Sequence, residues 1–545
     1  MKKPLPKPSL KLLSHTLLAF AAGCLMILPD HLYALAAGHG PVLFRPAVLA
    51  ALTVVAFLLL ALRNRFAVYG LLAFFFLLQL GQLLHMAYFG TAFAPHEIRL
   101  LFSEWDEVGE SAGGVPALML PPALIVLACY AALAMLARRF APYRLHFPPA
   151  ALPLALLLLI LPLRAYTSDE SQRFYPNPKT YTLDNALRAF SFFLVRDLPS
   201  HLAQPEAGQW KPYALQRSGP PVHANIVLVM GESLTPAHMS LFGYSRETTP
   251  QLESLRADTG FIFRQGIAAG VATKVSLPMF FNIAREPGNL GQVFRQQSNL
   301  LKLAKAQGFL TRYYSTQSAG LSTFAGIEYA DVARTAENME QTLETRHDEV
   351  LLDLMRGVDL SRPNFIVLHQ RNSHSPYAGN YPPAYDYYHS GAGGDANQQR
   401  VDAYDNSVRY TDHLLYRLIR DLAARSKLPV YVLFTSDHGE MLGEQGGQFG
   451  HAKLTAEVAR VPFIFYARHG EAAQLEAARR LVNPTHYEMG KLIAGLLGYR
   501  VDNPNERAGA YYLNGTDLSG SEGYLPVNKA GVRWELGTAA LAAAR

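Results

Sequence analysis

Val430-Tyr431-Val432-Leu433-Phe434 runs straight into Thr435-Ser436-Asp437-His438-Gly439-Glu440. Five consecutive apolar residues, mostly β-branched or aromatic, have the length and character of a strand buried on both faces, as in a parallel sheet covered by helices. The strand then stops on a carboxylate and an imidazole side by side. The pattern recurs twice. Asn225–Met230 (NIVLVM) leads into Gly231, Glu232 and Ser233, and Asn364–Leu368 (NFIVL) leads into His369 and, five residues on, His374. A fourth run, Val461–Tyr466 (VPFIFY), has a less suggestive sequel. Helical patterns lie between them, for example over Asn299–Gln307 and Asn406–Ala424. This is α/β alternation. In such sheets ligands bind beyond the carboxyl ends of the strands. Three strands that each deliver an acid or a histidine there form a constellation.

Glu232, Asp437 and His438 are oxygen and imidazole donors, a set that Zn²⁺ accepts while keeping a position open for a nucleophile or substrate. Any one of them alone reads as a turn or cap residue. A nucleophile in such a site is a weak side chain activated by its neighbours. The segment Gly270–Pro278 (GVATKVSLP) offers Thr273, just ahead of a helix expected over Ser276–Ala284. A helix N-terminus favours an anionic phosphate, and a divalent cation eases loss of the hydroxyl proton. The alternative is that Thr273 or Ser276 is simply an N-cap.

Outside this region the composition shifts. The 545 residues are 50% hydrophobic and 17% charged, with net charge +6, and the apolar residues crowd into the first third. Five stretches, 11–36, 43–62, 67–90, 115–137 and 148–164, approach the ~20 apolar residues of a membrane span. No small-residue cleavage site follows the first, which argues against a cleaved signal peptide. Lys2, Lys3, Lys7 and Lys11, then Arg63 and Arg65, then Arg138, Arg139 and Arg144 occupy alternate connections and place them on the cytoplasmic side. The opposite loops are 37–42, nearly uncharged, and 91–114, which is acidic and reads first as a solvated loop, with contact to an ammonium group as the alternative. Five crossings put everything after about 165 outside, in the periplasm of a two-membrane bacterium.

The expected organisation is a five-helix membrane domain over 1–164, a bridging segment and linker over 165–221, and a catalytic domain over 222–545. Lys179–Arg196 reads as an amphipathic helix on the membrane surface or leading to the next domain, or equally as a packed helix of the soluble domain. Pro205–Pro221 reads as a linker. Cys24 and Cys129 are the only cysteines and both lie in expected spans, so the exported domain has neither disulfides nor thiol ligands. No basic, aromatic-interleaved tract points to nucleic acid.

NIVLVMGES (225–233), TKVSLP (273–278), NSHSP (372–376), YDNSVRYTD (404–412) and TSDHGEMLGE (435–444) resemble, in order, the signature blocks of the phosphoethanolamine transferases of the alkaline phosphatase and sulfatase superfamily. The resemblance implies five spans followed by an α/β periplasmic domain with a mainly parallel sheet. It also implies an inner-membrane enzyme that uses zinc, one ion held tightly with a second as an option. Glu232, Thr273, Asp437 and His438 would be the ligands of the main zinc. Thr273 would also become covalently phosphoethanolaminated. His374 and His451 would bind substrate phosphate or a second zinc, or act as acid and base. Phosphatidylethanolamine would be the donor, and a lipopolysaccharide core sugar, lipid A or another envelope glycan the acceptor. Two blocks depart from the pattern: Ser375 stands where the family often has glycine, and the usual H-G is absent around His451. Ala269 and Met279 stand where the lipid A-modifying members carry cysteines, so the chain looks more like the disulfide-free branch that modifies core heptose or other glycans.

Competing readings are a glycerolphosphate polymerase of the lipoteichoic acid type, a membrane phosphodiesterase with water as acceptor, and a non-catalytic membrane scaffold. A sulfatase activity would need Cys or Ser in a C/S-x-P-x-R pattern. Ser276-Leu277-Pro278 begins one, but Phe280 stands in place of the arginine.

Overall fold

The computed structural model describes residues 8–536 except 38–41, 90–91, 99–100, 102–115, 146–147, 168–173, 175–179, 200–209, 391–394, 521–522, 531–532 and the single positions 94, 96, 144, 323, 445 and 519. Lys2, Lys3, Lys7 and all the acids of the 91–114 loop but Glu97 therefore lie outside the described residues. The chain divides into two units, Met1–Gln204 and Pro205–Arg545.

In the first unit the apolar stretches form helices α1 (Pro8–Ala36), α2 (Pro46–Ala61), α3 (Arg65–Phe89), α4 (Pro116–Arg139) and α5 (Ala151–Thr167). Among the described residues, three helices are long and apolar enough to cross a membrane: α1, α3 and α4. This corrects the expectation of five. Helices α2 and α5 have 16 and 17 residues, short of the ~20 a span needs. Prolines trim them: Pro46 fixes the start of α2, and a 3₁₀ turn at Pro148–Ala150 delays α5. Helix α6 (Thr182–Phe192) is the expected amphipathic segment. It buries Leu183, Ala186 and Ala189. Its Thr182 donates from N–H and hydroxyl to Asp30 of α1, at 2.7 and 2.9 Å. Gln79 of α3 donates to the same carboxylate at 3.0 Å. The helix thus packs on the other helices of its own unit.

The second unit is built on a seven-stranded sheet. Its strands are β1 (Asn225–Gly231), β2 (Phe261–Ile267), β3 (Leu310–Ser315), β4 (Val332–Arg334), β5 (Asn364–His369), β6 (Val430–Ser436) and β7 (Arg460–Arg468). Their spatial order is β2-β7-β6-β1-β5-β3-β4. All run parallel except β7, which is antiparallel to both β6 and β2. The run 461–466 was expected to follow the same pattern as the others. Its interior place in the sheet makes it equally apolar, so hydrophobic continuity could not reveal its direction.

Both faces of the sheet are covered. Ile226, Leu228 and Met230 of β1 pack into one core layer, with Leu277 and Phe280 of α7 (Thr273–Phe281) and Ile493 of α9 (His486–Leu496). Val227 and Val229 pack into the other, with Tyr404, Leu415 and Leu422 of α8 (Ala396–Arg425). Register then positions the chemistry. Met230 lies opposite His369 on one side and Thr435 on the other, and Gly231 lies opposite Ser436. The residues that leave β1, β5 and β6 therefore emerge level with one another. Part of the expected linker belongs to this unit: Ala214–Arg217 pairs antiparallel with Tyr499–Asp502.

Candidate metal and nucleophile site

Glu232 leaves β1 into a tight turn. Ser233 adopts a left-handed backbone (φ 53°), unusual for a residue with a side chain, and hydrogen bonds fix it there. Its N–H donates to Asp437 Oδ1 at 3.0 Å, its hydroxyl donates to Glu232 Oε1 at 2.8 Å, and its carbonyl accepts from Tyr404 at 2.7 Å. On the neighbouring strand the Asp437 N–H donates to the Gly231 carbonyl at 3.1 Å. His438 places Nδ1 2.9 Å from the Gly439 carbonyl. That contact puts the ring proton on Nδ1 and leaves the Nε2 lone pair facing the acids. Nε2 lies 3.2 Å from Asp437 Oδ2 and 3.7 Å from Glu232 Oε1.

Thr273 is the first residue of α7, and Ala272 before it provides no side-chain cap. The N-cap alternative therefore fails for Thr273. Its hydroxyl donates to Asp437 Oδ2 at 2.6 Å and lies 3.4 Å from His438 Nε2 and 3.5 Å from Glu232 Oε2. The Ser276 hydroxyl donates instead to the Asp437 carbonyl at 2.5 Å. The helix begins three residues earlier than expected, so the hydroxyl sits at the positive end of its dipole.

One ligand atom from each of Glu232, Asp437 and His438 lies within 4.8 Å of the others, and all three residues are buried. Burial, then the Asp437 charge, pushes the Glu232 carboxyl up to about 8. Burial also raises Asp437, but His438, the Thr273 hydroxyl and backbone N–H groups outweigh it and hold that carboxyl below its ordinary range. Burial lowers His438, which favours the neutral imidazole a metal requires. Two crowded acids, a neutral imidazole nitrogen and a hydroxyl pointing at one centre fit a divalent cation, and the mixed O/N set suits zinc.

Of the other two expected residues, His451 packs against the cluster. Its ring lies 4.3 Å from that of His438, and Nδ1 lies 3.0 Å from Glu440 Oε2. His438, Glu440 and His451 form a second group able to hold a cation. His374 is buried with Nδ1 2.5 Å from the Ser375 carbonyl. It is near enough for its charge to pull Glu232 down, yet it joins neither ligand group among the described residues. Sequence reasoning missed Glu440, although it stands in the quoted run. It also missed Gln317, which donates to Glu232 Oε2 at 2.6 Å and for which no motif offered a signal. His369, at the end of β5, faces Gln317 rather than the acids.

The sulfatase family model matches residues 224–499, just over half of the chain. Among curated proteins, the Kdo(2)-lipid A phosphoethanolamine 7''-transferase of Salmonella typhimurium is 28% identical over 309 residues, 51% of this chain and 52% of that protein. Phosphoethanolamine transferase EptA of Escherichia coli is 26% identical over 292 residues, 50% of this chain and 52% of that protein. The chain spans about half the length of the curated relatives it matches. Among solved structures, the integral membrane lipooligosaccharide phosphoethanolamine transferase EptA from Neisseria meningitidis superposes with a TM-score of 0.56. Its identity is 20%, over 89% of this chain and 95% of that one, a likeness of fold that takes in helices and sheet together. With the sheet, the converging acids and the match over 224–499 in agreement, the chain belongs to the sulfatase family.

Proposed function

We propose that this chain transfers phosphoethanolamine from phosphatidylethanolamine to a lipopolysaccharide acceptor, a core sugar or lipid A, through a covalent intermediate on Thr273. The observation that carries this reading is the Thr273 hydroxyl, 2.6 Å from Asp437 Oδ2 at an uncapped helix N-terminus. The names of the curated relatives support the group transferred and the acceptor class.

Glu232, Asp437, His438 and Thr273 would hold a zinc ion, which when bound supplies positive charge against the hydroxyl and the phosphoryl oxygens. Asp437 accepts the hydrogen bond that orients the hydroxyl. Thr273 Oγ1 forms a bond to phosphorus, and the bond to the diacylglycerol oxygen breaks, that oxygen leaving with a proton. A hydroxyl or phosphate oxygen of the acceptor then attacks the same phosphorus and Thr273 Oγ1 leaves. His374 serves proton transfer, for which an imidazole is suited near neutral pH, and His451 contacts the phosphate. Helices α1, α3 and α4 hold the chain in the inner membrane, with the 205–545 unit in the periplasm. Confinement to a lipid surface suits a donor and an acceptor that are both lipids.

Intact-protein mass spectrometry after incubation with phosphatidylethanolamine is expected to show one phosphoethanolamine adduct, absent in Thr273→Ala. Mass spectrometry of lipid A and core oligosaccharide from cells with and without the gene names the acceptor. An adduct that survives Thr273→Ala, or identical glycans in both strains, overturns the reading.

A further inference from the structure

Gln317 lies just beyond β3, buried, and reaches the cluster through Glu232. Its Nε2 is 2.6 Å from Glu232 Oε2, 3.0 Å from the Gln370 carbonyl and 3.1 Å from His369 Nε2. Two of these partners, the Glu232 carboxylate and the Gln370 carbonyl, can only accept. The amide therefore has one sensible orientation, nitrogen toward the acid, because the flipped form would set its oxygen against a carboxylate.

His369 fixes that orientation from behind. It is fully buried, and burial lowers it to about 4, so the ring is neutral with one proton. An N–H donor faces Nε2, so the proton is on Nδ1, where the Ser315 and Tyr313 hydroxyls lie at 3.1 and 3.2 Å. The Ser322 hydroxyl, 2.8 Å from the Tyr313 hydroxyl, ends the chain of contacts. Gln317 engages Glu232 Oε2 and Ser233 engages Oε1. Their bonds occupy one lone pair on each oxygen and leave the others toward Thr273 and His438.

We propose that Gln317, held by His369, is a positioning residue that aims the Glu232 carboxylate at the cation site. The inference rests on the zinc reading above. An amide N–H to an ionised acid is a charge-assisted bond. The amide carries no charge of its own, so a bound cation would meet the whole charge of the carboxylate. Residues that support metal ligands in this way alter affinity about 10- to 100-fold when removed.

The test uses full-length protein in detergent, with zinc alone as the probe, titrated against a competing chelator. Gln317→Leu and Gln317→Met keep the volume and remove the donor. Both are expected to weaken zinc binding about 10- to 100-fold while the metal-free melting temperature stays that of wild type. Under excess zinc, kcat should recover and KM should not change. Wild-type zinc affinity in both folded variants overturns the proposal, and so does an affinity loss matched by a fall in metal-free melting temperature, which marks a purely structural role. Failure of wild-type protein itself to take up zinc sinks instead the reading on which the proposal rests.

Discussion

His451 lies with its ring 4.3 Å from that of His438, tilted by 36°, while its Nδ1 contacts Glu440 Oε2 at 3.0 Å. Glu440 in turn accepts from Tyr377 at 2.6 Å, so the pair is anchored from both ends. Enclosure lowers His451, but the Glu440 charge and hydrogen bond win and push it up to about 9. A cationic ring packed against His438 suits a substrate phosphate. His451→Ala is expected to raise KM for the lipid donor about tenfold, the loss of ~1.4 kcal/mol of binding, with Thr273 still modified. Steady-state kinetics in mixed micelles would check it. An unchanged KM would remove His451 from the site.

Glu232 gives a pH signature in the metal-free protein. Its carboxyl is raised from 4.5 to about 8, by burial first and Asp437 second. The folded state therefore holds this proton more tightly than the unfolded state. Stability is greatest below about 4.5 and declines as pH rises toward about 8. Chelator-treated protein should show this decline in thermal melts, and Glu232→Gln should flatten it while abolishing zinc uptake. A variant that melts in parallel with wild type at every pH would contradict the assignment of charge.

A second cluster, buried except for Glu444, ties the loop after β6 to the turn after β1. His238 Nδ1 lies 2.6 Å from Asp405 Oδ1, and Nε2 lies 2.9 Å from Glu444 Oε1. Burial lowers His238, but these two carboxylates outweigh it and raise it above its ordinary 6.5. The stabilisation is present below that value and fades as pH rises through the raised one. His238→Asn should cost ~3 kcal/mol at pH 6, the usual penalty for breaking a buried ion pair. Urea titrations of wild type and variant should converge at higher pH, and a constant gap would exclude a protonated imidazole.

Gly439 is required by space. A Cβ there would stand 2.4 Å from the Glu457 carbonyl and 2.5 Å from that of Arg460. Gly439→Ala must shift the Asp437–His438 turn against the 457–460 backbone. A displacement of about 1 Å is expected to reduce kcat/KM ~100-fold, with far-UV circular dichroism unchanged. Full activity would mean that the turn is not under geometric constraint.

Much of the site was legible because strand ends announce themselves. Glu232, Asp437 and His438 follow apolar runs directly, and parallel register brings such ends level. What stayed hidden depends on side-chain reach. Gln317 follows a strand whose polar sequel looks like any loop, and Glu440 reads as part of a turn. The direction of β7 was illegible because burial on both faces gives the same pattern either way. The five spans were overcounted because hydropathy does not show where proline sets the start of a helix, as at Pro46 and Pro148. The N-cap alternative for Thr273 could be dismissed only once Ala272 was seen in the cap position.

Both thiols of the chain, Cys24 and Cys129, sit in α1 and α4. The 205–545 unit can therefore mature without any oxidising partner, and its yield should be indifferent to the redox state of the host. It is also a blank background for labelling: a cysteine introduced on its surface becomes the sole reactive handle there, open to a fluorophore or spin probe.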